Sequence, residues 1–173
     1  MITLTESRLQ FTFDNTAVWQ VIMKVDGHVD QKKTQVLQRY KTVDFTCGRQ
    51  DEILFIEVKN YSGHTAPANT ERLLNDIASK VKDTISCSIA ANINSTTDHI
   101  NWNYLVTQLS NQNVTIKVVF WMEDTYPNVL RAKAGANIYG NQLKRKLTWL
   151  TSGNNVMVAN THIGGIPGLV VTL

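Results

Sequence analysis

Cysteine, proline and late acidic residues are what this sequence has least of. Only two cysteines, Cys47 and Cys87, occur in 173 residues. Two thiols in a chain of this size do not make a disulfide scaffold, and they fit a reducing cytoplasm. With four histidines beside them, no Cys/His cluster has zinc-ligand spacing. Three prolines stand where average usage would supply about nine, which leaves little Pro-rich linker to divide the chain. There is no run of about 18 apolar residues, so no membrane-spanning helix is expected. The opening MITLTESRLQ has no basic stretch followed by an apolar one, so no secretory leader is expected either. Without secretion, the sequons at Asn94-Ser95-Thr96 and Asn113-Val114-Thr115 carry no meaning.

Acidic side chains stop at Asp124. The fourteen acids of the chain all lie in residues 1–124, against twelve Lys and Arg there. Arg131, Lys133, Lys144, Arg145 and Lys146 then follow unopposed, although the net charge of the whole is only +3. The C-terminal third is therefore a candidate surface for a polyanion, with a solvated helix face as the plain alternative. At 43% hydrophobic, the chain can bury one core, and a single domain over residues 1–173 is expected.

Periodicity then sorts the elements. Leu9, Phe11 and Phe13 alternate with polar residues, and residues 18–25, starting at Val18, are rich in Val, Ile and Trp. Both stretches read as strands, with Gly27 in a turn after them. Residues 41–47, KTVDFTC, alternate again, with Val43, Phe45 and Cys47 on one face and Asp44 on the other. Gly48-Arg49-Gln50-Asp51 suits a hairpin, and residues 53–59 return as the next strand. Pro67, with Asn69 and Thr70 as caps, opens a long helix whose apolar positions are Leu73, Leu74, Ile77, Val81, Ile85 and Ile89. Arg72, Lys80 and Lys82 fall on its polar face. A second helix is expected over residues 99–109, a buried strand over 115–121, and an amphipathic helix over 141–150, with Gly153 as its cap. Strands are expected over 156–159 and over 169–173, ending at Leu173. Strands in a row, then alternating helix and strand, predict an α/β fold. Its central mixed β-sheet is flanked by α-helices on both faces, antiparallel in its first half and parallel in its second.

One stretch resists a purely structural reading. DEILFIEVKNYSGH places Glu57 and Lys59 at the end of an apolar strand. Two residues apart on a strand, they share a face about 7 Å apart. If a hairpin joins this strand to its predecessor, Asp44 lies beside Glu57. Two adjacent carboxylates repel unless a cation sits between them. Mg²⁺ or Mn²⁺ meets that need, with the Val58 backbone carbonyl as a third oxygen and Lys59 near a bound water. An exposed ion-pair cluster, contributing little to stability, is the alternative.

This pattern of Asp44, then Glu57-Val58-Lys59 closing an apolar strand, then a helix, resembles the PD-(D/E)xK phosphodiesterase superfamily. That superfamily includes restriction endonucleases, Holliday-junction resolvases and DNA-repair nucleases. The wording KTVDF…ILFIEVKNYSG is also similar to a group of small bacterial members. The resemblance covers residues 38–92 well and the flanks loosely, and the proline that precedes the family's aspartate is replaced here by Val43. It implies a restriction-endonuclease-like fold and a Mg²⁺- or Mn²⁺-dependent nuclease acting on DNA. Asp44 and Glu57 would hold the metal, and Lys59 would assist the nucleophile. An additional acid from the N-terminal part is also implied. Glu6, Asp14, Asp26 and Asp30 are its candidates, with Asp26 favoured.

Arg72, Lys80, Lys82, Lys144, Arg145 and Lys146 are candidates for contact with the nucleic-acid backbone. His64 reads as an exposed loop residue, and Tyr61 as a packing one. Trp19, Trp102, Trp121 and Trp149 read as core. GGIPG, at residues 164–168, lacks the lysine of a phosphate-binding loop. A homodimer is a further expectation, because cutting both strands of a duplex needs two sites. The competing function is a catalytically silent nuclease-fold module that binds nucleic acid or a protein partner, as a subunit of a defence or repair assembly.

Overall fold

The structure is a computed structural model that describes residues 1–14, 19–35, 40–49, 51–64, 69–125 and 128–172. Val18, Gln50, Pro67 and Leu173, each given a place above, lie outside them. In chain order the elements are β1 (Ile2–Glu6), β2 (Leu9–Phe13), β3 (Val21–Lys24), α1 (Val29–Gln35), β4 (Phe45–Gly48) and β5 (Glu52–Asn60). Then follow α2 (Thr70–Asn94), α3 (His99–Leu109), β6 (Thr115–Glu123), α4 (Val129–Lys146), β7 (Val156–Ala159) and β8 (Leu169–Thr172).

Five strands make the central sheet in the order β3-β4-β5-β6-β7. β3, β4 and β5 pair antiparallel, while β5, β6 and β7 pair parallel. The chain turns back from β4 to β5 through a short connection, while residues 25–44, which carry α1, separate β3 from β4. It can add β6 and β7 in parallel only after long helical crossovers. The mixed sheet, antiparallel first and parallel second, is thus as the sequence pattern implies.

The two faces of this sheet are covered differently. Ile53, Phe55, Val118 and Phe120 point towards the helices, where Leu74, Ile77 and Val81 of α2 and Leu143 of α4 meet them. Each of these side chains, once buried, contributes about 1.5–3 kcal/mol. α2 starts cleanly because the Asn69 side chain accepts the Arg72 N–H at 2.9 Å. At the far edge, Val21, Met23 and Val25 pack on Trp102 and Leu105 of α3.

The opposite face carries Phe45, Leu54, Ile56, Val58, Val119 and Trp121, and these meet Leu9, Phe11 and Phe13 of β2. A separate three-stranded sheet, β1-β2-β8, therefore lies there, in place of the helices expected on both faces. Alternation identifies β2 as a strand with one apolar side, but such a strand satisfies itself equally by packing sheet on sheet. β8 likewise pairs antiparallel with β2 and not with the parallel half of the central sheet.

Other expectations shift with the packing. α1 has no apolar stripe in VDQKKTQ and was not anticipated. α4 begins at Val129, where Asn128 caps it, twelve residues before the expected start. Its buried positions include Ala132 and Gly140, small residues that give little hydrophobic signal. Ile89, expected on the inner stripe of α2, is exposed, and Trp149 is exposed beyond the end of α4.

The β1–β2 connection is tight. Glu6 pairs with Leu9, which leaves Ser7 and Arg8 as a two-residue turn. Both have positive φ, 51° and 67°. Turns of this hand favour Asn-Gly, and a left-handed non-glycine residue costs about 1–2 kcal/mol.

Candidate active site

The β4–β5 ladder runs from Gly48↔Ile53 to Phe45↔Ile56. Continued by one residue, it sets Asp44 opposite Glu57, the juxtaposition the sequence pattern requires. Asp44 has left the strand, and its backbone carbonyl accepts the Val25 N–H at 2.9 Å. Its side-chain Oδ2 takes the Val58 N–H at 2.7 Å. The carboxylate therefore completes the ladder where the backbone of β4 turns away, and it is locked against β5 by that bond. Val43, just before it, is buried and donates its N–H to Thr84 Oγ1 of α2 at 2.9 Å.

Glu57 does not emerge from the strand end into solvent. Its side chain is 0% exposed, and Asp44 is nearly as deep. An exposed ion-pair cluster is thereby excluded. Two ammonium groups meet Glu57. Lys59 Nζ bonds Oε1 and also the Val58 carbonyl, the latter at 3.3 Å. Lys80 Nζ reaches across from α2 to Oε1 at 2.8 Å and Oε2 at 3.0 Å. Lys80 thus faces inward and neutralises Glu57, where the outer polar face of α2 had been expected for it. The signal for this was present in the sequence. Position 80 falls three residues after Ile77 and four before Thr84, both buried, and so lies on the inner stripe.

The electrostatics of the cluster are unequal. Burial, and then the neighbouring Glu57 carboxylate, push the Asp44 pKa up to about 7, against the opposing pull of the Val58 N–H and the two lysines. For Lys59, burial disfavours the charged form, but the carboxylates of Glu57, Asp44 and Glu6 outweigh it and raise its pKa. Lys59 is charged at neutral pH, and Asp44 holds its proton to a higher pH than an ordinary aspartate.

The candidates for a further acid are scattered. Asp26 is exposed in the turn after β3 and accepts a hydrogen bond from Gln31 Nε2 at 3.4 Å. Asp30 is buried elsewhere, accepting from Ser95 Oγ at 2.6 Å and Trp102 Nε1 at 2.9 Å. Asp14 is exposed. Glu6 is the one of the four whose charge Lys59 feels. It is itself paired with Lys24 at 2.9 Å. Burial works against its ionisation, yet Lys24 and the Ser7 hydroxyl prevail and hold its pKa below the ordinary value. Among the described residues no three His, Cys, Asp or Glu side chains group closely enough to hold a metal ion. The oxygens this site presents are those of the two carboxylates and of the Val58 backbone carbonyl.

The basic candidates do not form one surface. Arg72 and Lys82 are exposed on α2. Lys144 lines a cavity of about 350 Å³ between α4 and β7, together with Lys133 and Asn137. Arg145 and Lys146 lie on another side of α4, where Lys146 bonds Asn75 Oδ1 at 2.6 Å. Trp102 and Trp121 are core as expected, and Tyr61 packs on the helix-side core. His64 is exposed. No described helix is long and apolar enough to cross a membrane.

One buried acid drew no attention in the sequence. Glu123, at the end of β6, is 2% exposed. Its oxygens accept from Thr161 Oγ1 at 2.7 Å, the Thr161 N–H at 3.1 Å and Trp121 Nε1 at 3.3 Å.

Set against known proteins, the chain matches no family model, no curated protein and no solved structure.

Proposed function

We propose that the protein is a metal-dependent nuclease that hydrolyses phosphodiester bonds in DNA. The observation that carries this reading is the pair of buried carboxylates, Asp44 and Glu57, set side by side across two antiparallel strands. The run β3-β4-β5, followed by α2 and a parallel β6, supports a restriction-endonuclease-like fold, and the spacing of Asp44 and Glu57-Val58-Lys59 supports the PD-(D/E)xK assignment.

The donor set suits Mg²⁺ or Mn²⁺, which take one or two carboxylates and keep several waters. Asp44 Oδ2 holds the Val58 N–H, so Oδ1 is the oxygen it would offer. Glu57 would have to exchange ammonium groups for the ion. Lys80, on a flexible four-carbon stem, is the one to give way. When bound, the ion supplies Lewis-acid polarisation and charge stabilisation at a phosphoryl oxygen. Lys59 keeps its charge beside Glu57 and orients an attacking water towards the phosphorus. Glu57 holds Lys59 in place. Burial and Glu57 raise the Asp44 pKa, and an arriving cation would favour its ionised form.

The test is cleavage of single- and double-stranded DNA and of RNA with Mn²⁺, with EDTA as control. Folded wild-type protein should cut DNA, and Lys59→Ala should not. No cutting of any nucleic acid by the folded protein would end this reading.

A second reading is a catalytically silent module of the same fold, binding nucleic acid or a protein partner. A specific contact favours it: Lys80 occupies both oxygens of Glu57 and supplies internally the positive charge that a metal would bring. DNA affinity unchanged by EDTA, with no cleavage, would select it.

A further inference from the structure

We propose that the Ser7–Arg8 turn and the loop after β5 form a phosphate-binding subsite for a nucleic-acid strand, at the end of the β-strand that carries Glu57 but on its opposite face. Identifying the strand as substrate rests on the nuclease reading above; the subsite itself rests on the following geometry.

Ser7, Arg8, Asn60, Ser62 and His64 line a cavity of about 190 Å³. All are polar, two can carry positive charge, and none of these lining residues is acidic. Arg8 is exposed and forms no ion pair with any described residue. The carboxylate nearest to it in sequence, Glu6, is already neutralised by Lys24 at 2.9 Å and takes the Ser7 hydroxyl at 3.0 Å. Glu6 therefore does not oppose an incoming anion as a free acid, although Asp124 lies close enough to the loop to act on Tyr61.

The frame of the cavity is fixed. Asn60 Nδ2 donates to the Ser7 carbonyl at 2.8 Å, tying the turn to the end of β5. Asn60 Oδ1 accepts the Ser62 N–H at 2.9 Å, and the His64 N–H goes to the Tyr61 carbonyl at 2.8 Å. One asparagine thus braces both walls. The turn keeps Ser and Arg at φ of 51° and 67°, positions where glycine would be less strained, and so presents a guanidinium at its tip. A guanidinium donates in a planar fork that matches two phosphate oxygens.

Position along the chain supplies the link to the chemistry. Asn60 directly follows Lys59 and lies three residues beyond Glu57 on β5, about 10 Å along the strand, with its side chain on the face that meets the β1–β2 turn and not on the face of Glu57. A nucleic-acid strand that rounds the end of β5 from Glu57 to the cavity would place there a phosphate other than the one attacked.

Arg8→Gly separates binding from folding. It removes the guanidinium and also relieves the positive-φ strain, so its melting temperature should hold or rise. Binding is read by fluorescence anisotropy of a labelled single-stranded DNA oligonucleotide, in EDTA, over a series of salt concentrations. We expect Arg8→Gly to weaken binding roughly 5- to 10-fold and to reduce the slope of log K against log salt by about 0.7, one phosphate contact on a single strand. Arg8→Lys should retain part of the affinity. Equal affinity and slope in wild type and Arg8→Gly would overturn the subsite, as would a folded wild type that binds no oligonucleotide. Inorganic phosphate that raises the wild-type melting temperature in an Arg8-dependent way, with DNA binding indifferent to Arg8, would overturn the strand in favour of free phosphate. Cleavage with Mn²⁺ is scored separately. Arg8-dependent binding without cleavage leaves the subsite standing and removes the nuclease, and cleavage with Arg8-independent binding does the reverse.

Discussion

Glu57 and Glu123 are both buried carboxylates on neighbouring parallel strands, and they are held in opposite ways. β5 and β6 pair with Glu57 beside Phe120 and Asn60 beside Glu123. Glu57 faces the helices, with Phe120; Glu123 shares the other face with Trp121. Three neutral donors hold Glu123, two from Thr161 in the turn after β7 and one from Trp121 of β6. Glu57 is held by two ammonium groups on long stems, and those lysines are 32% and 16% exposed. A second carboxylate, Asp44, stands beside it. A buried acid satisfied by fixed neutral dipoles is a closed structural element. One satisfied by mobile charges that reach solvent, next to a like charge, is a site where cations can exchange.

The largest expected effect separates the two acids by activity. Glu57→Gln should lower Mn²⁺-dependent cleavage by roughly 10³-fold or more, since it removes a ligand and the anchor of Lys59. Glu123→Gln should leave cleavage per folded molecule unchanged. Rates from single-turnover assays on the folded fraction decide this, and equal losses in both variants would erase the distinction.

Stability gives the next two steps. Lys80→Ala leaves Glu57 buried with one fewer cation, which should cost about 3 kcal/mol in urea unfolding at neutral pH. A loss below about 1 kcal/mol would mean that Lys80 behaves as an exposed partner. Glu123→Gln keeps the shape but puts an amide against donors, and should cost about 1–3 kcal/mol. Because a divalent ion replaces what Lys80 supplies, saturating Mn²⁺ should shrink the Lys80→Ala deficit and leave that of Glu123→Gln unchanged.

The smallest effect is one of pH. Burial and Glu57 hold the Asp44 pKa at about 7 in the native chain, against about 3.9 unfolded. Between those values the native state keeps a proton that the unfolded state has released. The contribution of this group to stability is therefore fully present below the unfolded value and is lost as pH rises towards about 7. Asp44→Asn cannot lose it. Its melting temperature should fall less than that of wild type between pH 5 and pH 8. Parallel curves would place the Asp44 carboxylate in the ionised state throughout.

Local patterns made part of this site readable in advance. KTVDFTC and ILFIEVK alternate at the period of a strand, a short connection joins them, and their register follows once the hairpin is assumed. That pattern alone brings Asp44 to Glu57. What the pattern does not encode is the partner of each face. Leu9, Phe11 and Phe13 declare an apolar side, yet helix and sheet bury such a side equally well, so the β1-β2-β8 layer was missed. Lys80 reads as an outward contact for nucleic acid because a lysine on a helix is ordinarily solvated, and only its place between Ile77 and Thr84 marks it as inward. The first three turns of α4 offer Ala and Gly where a stripe would be sought. Glu123 ends an apolar strand much as Glu57 does, and only its neutral partners, distant in sequence at Thr161, show that it is structural.

The most direct measurement is anomalous diffraction from crystals of the protein soaked in Mn²⁺. The account predicts a peak at about 2.0–2.2 Å from oxygens of Asp44, Glu57 and the Val58 carbonyl, with the Lys80 ammonium withdrawn from Glu57. Well-ordered density at saturating Mn²⁺, with Lys80 still on both Glu57 oxygens and no peak beside Asp44, would contradict it.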